Sequence, residues 1–152
     1  MISSKLIEGL NGSPKIPGDK SISHRSIIIP SIANGISEVK NILKSQDVNH
    51  TIDAFKLMGV KIEEKMGNLI IEGKGLRSLK KPNKNIYLGN SGTSARLLTG
   101  LLSAQNFSSV LTGDKSLSSR PMGRIADPLI NMNALIETSN GCLPIKIAGN
   151  NL

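Results

Sequence analysis

The apolar positions of this chain fall into short runs and helical stripes, and their order predicts the elements. Ile86-Tyr87-Leu88 is a brief apolar run that stops at Gly89, the pattern of a strand. Ala95, Leu98, Leu101 and Leu102 then recur with helical spacing, with Ser91 or Thr93 placed to cap the helix. Upstream, Ile28, Ile29, Ile32 and Ala33 mark another helix, capped by Ser21 or Ser23 and closed by Asn34-Gly35. Pro30 falls inside that stripe and predicts a kink or an early end, since an interior proline costs about 3 kcal/mol. A strand follows at 37–43. Asp47 then caps a helix that turns Val48, Ile52 and Phe55 inward and ends at Gly59. Val60-Lys61-Ile62 and Leu69-Ile70-Ile71 read as a hairpin around Met66-Gly67-Asn68, and a short strand is expected at 5–7. The Gly/Lys/Pro stretch at 73–85 is the best internal boundary, and its charge run reads as a solvated connector.

The second half of the pattern repeats the first. Gly18 and Arg25 lie 71 residues before Gly89 and Arg96, and each pair encloses a small-residue turn leading into an apolar helix. Asn34 to Val39, opening a strand, lies 72 residues before Asn106 to Leu111. Met58-Gly59 stands 74 residues before Met132-Asn133, and Gly67, Leu69 and Ile71 answer to Gly141, Leu143 and Ile145. The unit reads turn, helix, strand, loop, helix, strand, strand. Stacked repeats usually number three or more, so two units, the second with its last strand ending near Ile147, read as an unfinished array.

Chemistry concentrates at the turns. In Leu88-Gly89-Asn90-Ser91-Gly92-Thr93-Ser94-Ala95-Arg96, small residues between a strand and a helix leave backbone N–H groups outward, at the positive end of the helix dipole. That arrangement suits phosphate or carboxylate, and Arg96 adds a fixed charge. Taken alone, the same residues also make an ordinary capped helix. Two further stretches share the character: Pro17-Gly18-Asp19-Lys20-Ser21-Ile22-Ser23-His24-Arg25, and 112–122, from Thr112-Gly113-Asp114 to Arg120-Pro121-Met122. Three such turns in one small chain point to a ligand with more than one anionic group.

Composition narrows the classes. A chain of 152 residues suffices for one domain, and 38% hydrophobic residues support a core built from Ile, Leu, Val and Met. The formal charge of +8 fits anionic partners. The basic residues are dispersed, and one Tyr, two Phe and no Trp leave few stacking platforms for single-stranded nucleic acid. The lone Cys142 excludes an internal disulfide and fits a reducing, cytoplasmic setting. Neither His24 nor His50 has a ligand-like neighbour at metal spacing, no run approaches about 18 apolar residues, and 1–15 is too polar for a signal peptide.

Lys20-Ser21-Ile22-Ser23-His24-Arg25, the 88–96 turn and the 112–122 segment together resemble three signature segments of the 5-enolpyruvylshikimate-3-phosphate synthase family, in its order and near its spacing. The resemblance covers nearly the whole chain but only about the first third of a family member. It implies an α/β (α+β) fold, the inside-out α/β barrel of enolpyruvyl transferases, whose two lobes each hold three βαβαββ units around a cleft. By that frame residues 1–16 form an amino-terminal strand region belonging to the missing lobe. Residues 17–80 are the first unit, 81–152 the second, and the remainder of the enzyme is absent. The reaction implied is transfer of the enolpyruvyl (carboxyvinyl) group of phosphoenolpyruvate to the 5-hydroxyl of shikimate 3-phosphate, on the route to chorismate and aromatic amino acids. No metal and no cofactor are implied.

By the same resemblance Lys20, Ser21 and Arg25 bind shikimate 3-phosphate, while Lys20, Gly92 and Arg120 bind phosphoenolpyruvate, Lys20 lying between the two. Asn90, Thr93, Arg96 and Asp47 support them, although a helix cap alone also accounts for Asp47. No residue is assigned as general acid or base; His24 and Asp47 are the nearest. The expected partners are the two substrates and the missing carboxy-terminal portion, with no nucleic acid and no membrane, and a full-length member is expected to be monomeric. Pro30 departs from the small or apolar residue usual in the family's first helix. Absence of the third unit is expected to uncover the apolar faces of the helices around 48–55 and 95–102, giving a marginally stable, aggregation-prone and inactive domain. Two alternatives stand beside this reading. One is UDP-N-acetylglucosamine enolpyruvyl transferase, which shares the fold but not the Lys-Ser-Ile-Ser-His-Arg segment. The other is a non-catalytic basic domain that binds anions or nucleic acid.

Overall fold

Twelve elements follow one another in a computed structural model that describes Gly9 and residues 11–149; the strand expected at 5–7 lies outside the described residues. The first unit contains α1 (Lys20–Ile32), β1 (Asn34–Val39), α2 (Gln46–Leu57), β2 (Lys61–Lys65) and β3 (Asn68–Lys74). The second contains β4 (Ile86–Tyr87), α3 (Gly92–Ser103), β5 (Ser109–Thr112), α4 (Lys115–Ser118), α5 (Gly123–Asn131), β6 (Ile136–Ser139) and β7 (Cys142–Ile147).

Each unit builds its own sheet, and the two sheets share a plan. The first has the order β1-β3-β2, antiparallel throughout, with Val39 opposite Leu69 and Ile62 opposite Ile71. The second has the order β4-β5-β7-β6, with β4 parallel to β5 and the other pairs antiparallel. Strands β1, β3 and β2 thus correspond to β5, β7 and β6, as the repeat predicts. Both hairpins turn through two residues with positive φ, Met66-Gly67 and Asn140-Gly141, the conformation that matches the twist of paired strands. Leu69, Ile71, Leu143 and Ile145 all point into the core. Only the second unit opens with a strand; among the described residues nothing pairs ahead of α1 in the way β4 does ahead of α3.

The core is continuous across both units, running from Ile27, Phe55, Met58 and Ile71 to Leu98, Leu102, Leu111 and Ile145. Helices α1, α2 and α3 touch one another, α1 covers the first sheet, and α3 reaches β5 and β7 of the second. The expectation of uncovered faces on the second and third helices is overturned. Val48, Ala54 and Phe55 of α2 and Ala95, Leu98 and Leu102 of α3 are buried, because the two helices pack on each other and on α1. Leu97 is exposed on the outer face of α3, and the other exposed apolar side chains include Ile22 and Ile29 on α1, Ile36 on β1, and Ile130, Met132 and Leu135 around α5 and β6.

Several local expectations are corrected. Asp19, not Ser21 or Ser23, caps α1, accepting from Ile22 N at 2.7 Å, one residue before the helix begins. The same shift makes Ser45 the cap of α2, while Asp47 sits inside its first turn. Helix α1 does not end at Pro30 but continues to Ile32. Proline lacks one donor, and here it stands in the last turn, where little helix remains to be broken. Asn34-Gly35 opens β1 instead of closing α1, so the strand ends at Val39 and not at residue 43. Finally, of the stripe Ile28, Ile29, Ile32 only Ile28 and Ile32 pack, partly buried, against the core, while Ile29 is exposed. The buried residues are Ser23, His24, Ile27 and Ser31, and the hydroxyls are satisfied by carbonyls one turn back.

Candidate functional site

Three helix starts converge at one end of the molecule. Helices α1, α2 and α3 each contribute a side chain from their first half to one buried contact: His24, Thr51 and Ser94. His24 Nδ1 lies 2.8 Å from Thr51 Oγ1 and 3.4 Å from Ser94 Oγ. Thr51 Oγ1 is 2.7 Å from Ser94 Oγ, which is 2.6 Å from Ser91 Oγ, the cap of α3. All four side chains are buried. At the rim of this cluster Lys20, the first residue of α1, forms an ion pair with Asp47 in the first turn of α2. The spacing of the two helix starts is therefore fixed from below by hydroxyls and from above by charge.

The turn into α3 is held from both sides. Gly89 adopts φ +54°, a conformation that favours glycine, and the His50 ring of α2 lies where a Cβ would stand. His50 in turn meets Tyr87 edge-on, with ring centroids 5.5 Å apart. The Gly89 carbonyl accepts from Asp114 N at 2.9 Å, which ties this turn to the one that starts α4. Asp114 caps α4 through Leu117 N at 2.7 Å, and the short helix leads directly to Arg120. A one-turn helix thus intervenes where the sequence placed only a loop before α5.

Two guanidinium groups close over the start of α3. Arg96 donates to Gly92 O at 3.1 Å and to Pro121 O at 3.3 Å. Arg120 donates to Asn90 Oδ1 and lies 3.5 Å from Ser116 Oγ. A Cβ on Gly92 would stand 2.8 Å from Arg96 Nη1 and 3.1 Å from Arg120 Nη1, so the missing side chain is what lets both cations face the helix start. This corner presents a helix dipole and two fixed charges to one small volume, which is the chemistry of an anion site, while the Gly92 N–H itself donates to Asn90 O at 3.0 Å.

Of the residues singled out in the sequence, the structure brings Asn90, Gly92, Arg96 and Arg120 into one cluster and pairs Lys20 with Asp47. Ser21, Arg25 and Thr93 are exposed, and their side chains make no hydrogen bond or ion pair with described residues. Arg25 faces a groove shared with Ile22, Ile29 and Glu38 to Lys40. His24 is fully buried, so it does not touch a ligand bound at the surface. Burial holds its imidazole below the usual histidine range; the Asp47 carboxylate acts against that shift and the Lys20 ammonium adds to it. Thr51, Ser94, His50 and Ser116 were missed. Their signal was faint: hydroxyls and a histidine in otherwise apolar stripes, where a period search looks for carbon. Among the described residues no helix is long and apolar enough to cross a membrane.

Known proteins of one family share this sequence and fold. The family model of EPSP synthase (3-phosphoshikimate 1-carboxyvinyltransferase) matches residues 5–152. The 3-phosphoshikimate 1-carboxyvinyltransferase of Ruthia magnifica subsp. Calyptogena magnifica is 54% identical over 145 residues, which are 95% of this chain and 33% of the relative. That of Oenococcus oeni is 48% identical over 149 residues, 97% of this chain and 34% of the relative. The solved EPSP synthase of Acinetobacter baumannii superposes with a TM-score of 0.88 at 51% identity, over 91% of this chain and 32% of that one. The chain spans about a third of the length of the relatives it matches. With the family model running from residue 5 to residue 152, the chain belongs to the EPSP synthase family.

Proposed function

We propose that this chain forms one wall of an enolpyruvyl-transfer site, serving the reaction of phosphoenolpyruvate with the 5-hydroxyl of shikimate 3-phosphate. The observation that carries the reading is the convergence of Arg96 and Arg120 on Gly92 at the start of α3. Both substrates are polyanions and repel each other, so bringing them together requires cations and backbone donors fixed in advance. Arg120, held by Asn90, and the backbone at Gly92 receive phosphoenolpyruvate. Arg25 and Ser21, exposed on α1 and without side-chain partners among the described residues, receive shikimate 3-phosphate. Lys20 stands between them, its ammonium oriented by Asp47. In the reaction the 5-hydroxyl must lose a proton and the methylene carbon of phosphoenolpyruvate must gain one before phosphate leaves. No side chain of this chain is assigned to either transfer.

The test is binding by each substrate to the purified chain and to two variants, followed by amide shifts in NMR. Arg120→Ala is expected to weaken phosphoenolpyruvate about tenfold or more and shikimate 3-phosphate little, and Arg25→Ala the reverse, because each removes a charge-assisted hydrogen bond worth about 1.5–3 kcal/mol. Equal losses of both ligands from both variants would contradict the assignment.

A further inference from the structure

His24 is a buried titratable group for which the proposed function has no task. It sits where α1, α2 and α3 meet, one hydrogen bond from Thr51 and within 3.4 Å of Ser94, and its Nε2 is buried without a partner among the described residues. We propose that neutral His24 is a positioning residue that fixes the start of α3, and with it the Gly92 turn, through the chain His24 Nδ1, Thr51 Oγ1, Ser94 Oγ, Ser91 Oγ.

The direction of that chain follows from the orphaned nitrogen. An unpaired buried N–H is rarer in folded proteins than an under-used lone pair. The proton therefore belongs on Nδ1, leaving Nε2 as the unused acceptor. His24 then donates to Thr51, Thr51 to Ser94, and Ser94 to Ser91, whose oxygen also accepts from Ser94 N at 3.3 Å. Thr51 and Ser94 each accept once and donate once, and Ser91 Oγ accepts at the end of the chain, so the cap of α3 is oriented by an imidazole on another helix. Thr51 Oγ1 also lies 3.3 Å from Asp47 O, a carbonyl that competes with Ser94 for its single proton, and Ser94 is the nearer acceptor at 2.7 Å.

Protonation would spoil this arrangement by placing a charged N–H on Nε2 with nothing to receive it. The charged groups around His24 do not reverse that. Asp47 on α2 favours charge, Lys20 on its own helix opposes it, and α3 offers it a hydroxyl. The charged residues of the strands packed on α1 sit in exposed pairs, Glu38 with Lys40 and Glu72 with Lys74. Asp19 and Arg25 on α1 are exposed as well. The link from this chain to phosphoenolpyruvate rests on the function proposed above; the positioning of α3 does not.

Two measurements on the 152-residue chain test it. Long-range nitrogen–proton NMR of labelled histidine reads the tautomer directly in the unaltered protein: Nδ1–H with Nε2 bare is expected at neutral pH, and an Nε2–H tautomer would overturn the proposal. Hydrogen exchange then compares the two ends of α3. His24→Leu is expected to speed exchange of the Ser94 and Ala95 amides about tenfold, while those of Leu101 and Leu102 change little. His24→Asn, whose side-chain amide N–H stands near the place of Nδ1–H, should restore the slow rates. Uniform acceleration along α3, or none, would overturn the proposal. If the leucine variant does not fold, Thr51→Val breaks the same chain with nearly the same shape and is expected to give the same one-ended pattern. Addition of phosphoenolpyruvate separates the two readings: amides at 92–94 that do not move in the unaltered chain would contradict the proposed function while leaving the exchange result standing.

Discussion

At residue 92 the backbone, not a side chain, carries the site. Glycine is a poor helix former, yet it occupies the first position of α3 because two guanidinium groups need the space a Cβ would take. Those groups end long, flexible side chains, so an added methyl can push them aside without disturbing the fold. Gly92→Ala should therefore leave stability unchanged or raise it by up to about 1 kcal/mol, since alanine is the better helix former. The same variant should weaken phosphoenolpyruvate binding, because the displaced Arg96 and Arg120 no longer face the helix start together. Thermal unfolding and an NMR titration of one sample read both effects. A loss of stability in step with a loss of binding would show that Gly92 is there for the fold and not for the ligand.

At the scale of elements, the caps decide where helices begin, and they separate two acidic and hydroxyl positions that sequence pattern alone confuses. Ser45 accepts from Val48 N, whereas Asp47 lies inside α2 and spends its carboxylate on Lys20. Ser45→Ala should cost about 1 kcal/mol, a fall of roughly 2–4 °C in midpoint for a chain of this size. Asp47→Ala should cost less, since it loses a first-turn charge worth about 0.3–1 kcal/mol and a pair whose lysine is half exposed. Unfolding midpoints of the two variants check the order. The parts of the fold that were legible in the sequence are those with a carbon signal. The stripe of α3 and the alternation of β3 and β7 with their glycine turns all stand where the pattern put them. Helix α1 is marked by the pattern, but its buried face is not. Its inner face is Ser23, His24 and Ser31, whose hydroxyls are satisfied by carbonyls of their own helix, so burial there leaves no apolar trace. The candidate site was legible where glycine and arginine mark it, at 89–96 and 120. It was not legible in the layer beneath, where Thr51 and Ser94 matter only because three separate helices meet.

For the whole molecule, the buried imidazole makes stability depend on pH. The folded value of His24 lies below the ordinary 6.5, so above that pH both states are neutral there and nothing changes. As pH falls through 6.5 the unfolded chain takes up a proton that the folded chain refuses, and stability declines until the folded value is reached. Urea unfolding between pH 7.5 and 5 should show this decline, and His24→Asn should remove its share of it. A variant that keeps the full pH dependence would place its source elsewhere.

The whole molecule also sets what the chain can do alone. It presents Arg96 and Arg120 at the start of α3 and Lys20 at the start of α1, and the expectation is that the isolated 152-residue chain does not turn over phosphoenolpyruvate and shikimate 3-phosphate. Its cations act on one face of the reacting atoms only, in a corner open to water, where each charge interaction is screened. Proton transfer typically contributes 10²- to 10⁴-fold, and its nearest candidates here are a histidine with no exposed surface and a carboxylate held by Lys20. The measurement is phosphate release by the purified chain given both substrates, with and without a separately produced polypeptide covering the other two-thirds of a relative such as the Acinetobacter baumannii enzyme. Release only in the mixture is the expected outcome. Release by the chain by itself would mean that the proton-transfer groups lie among these residues and that their roles have been misassigned.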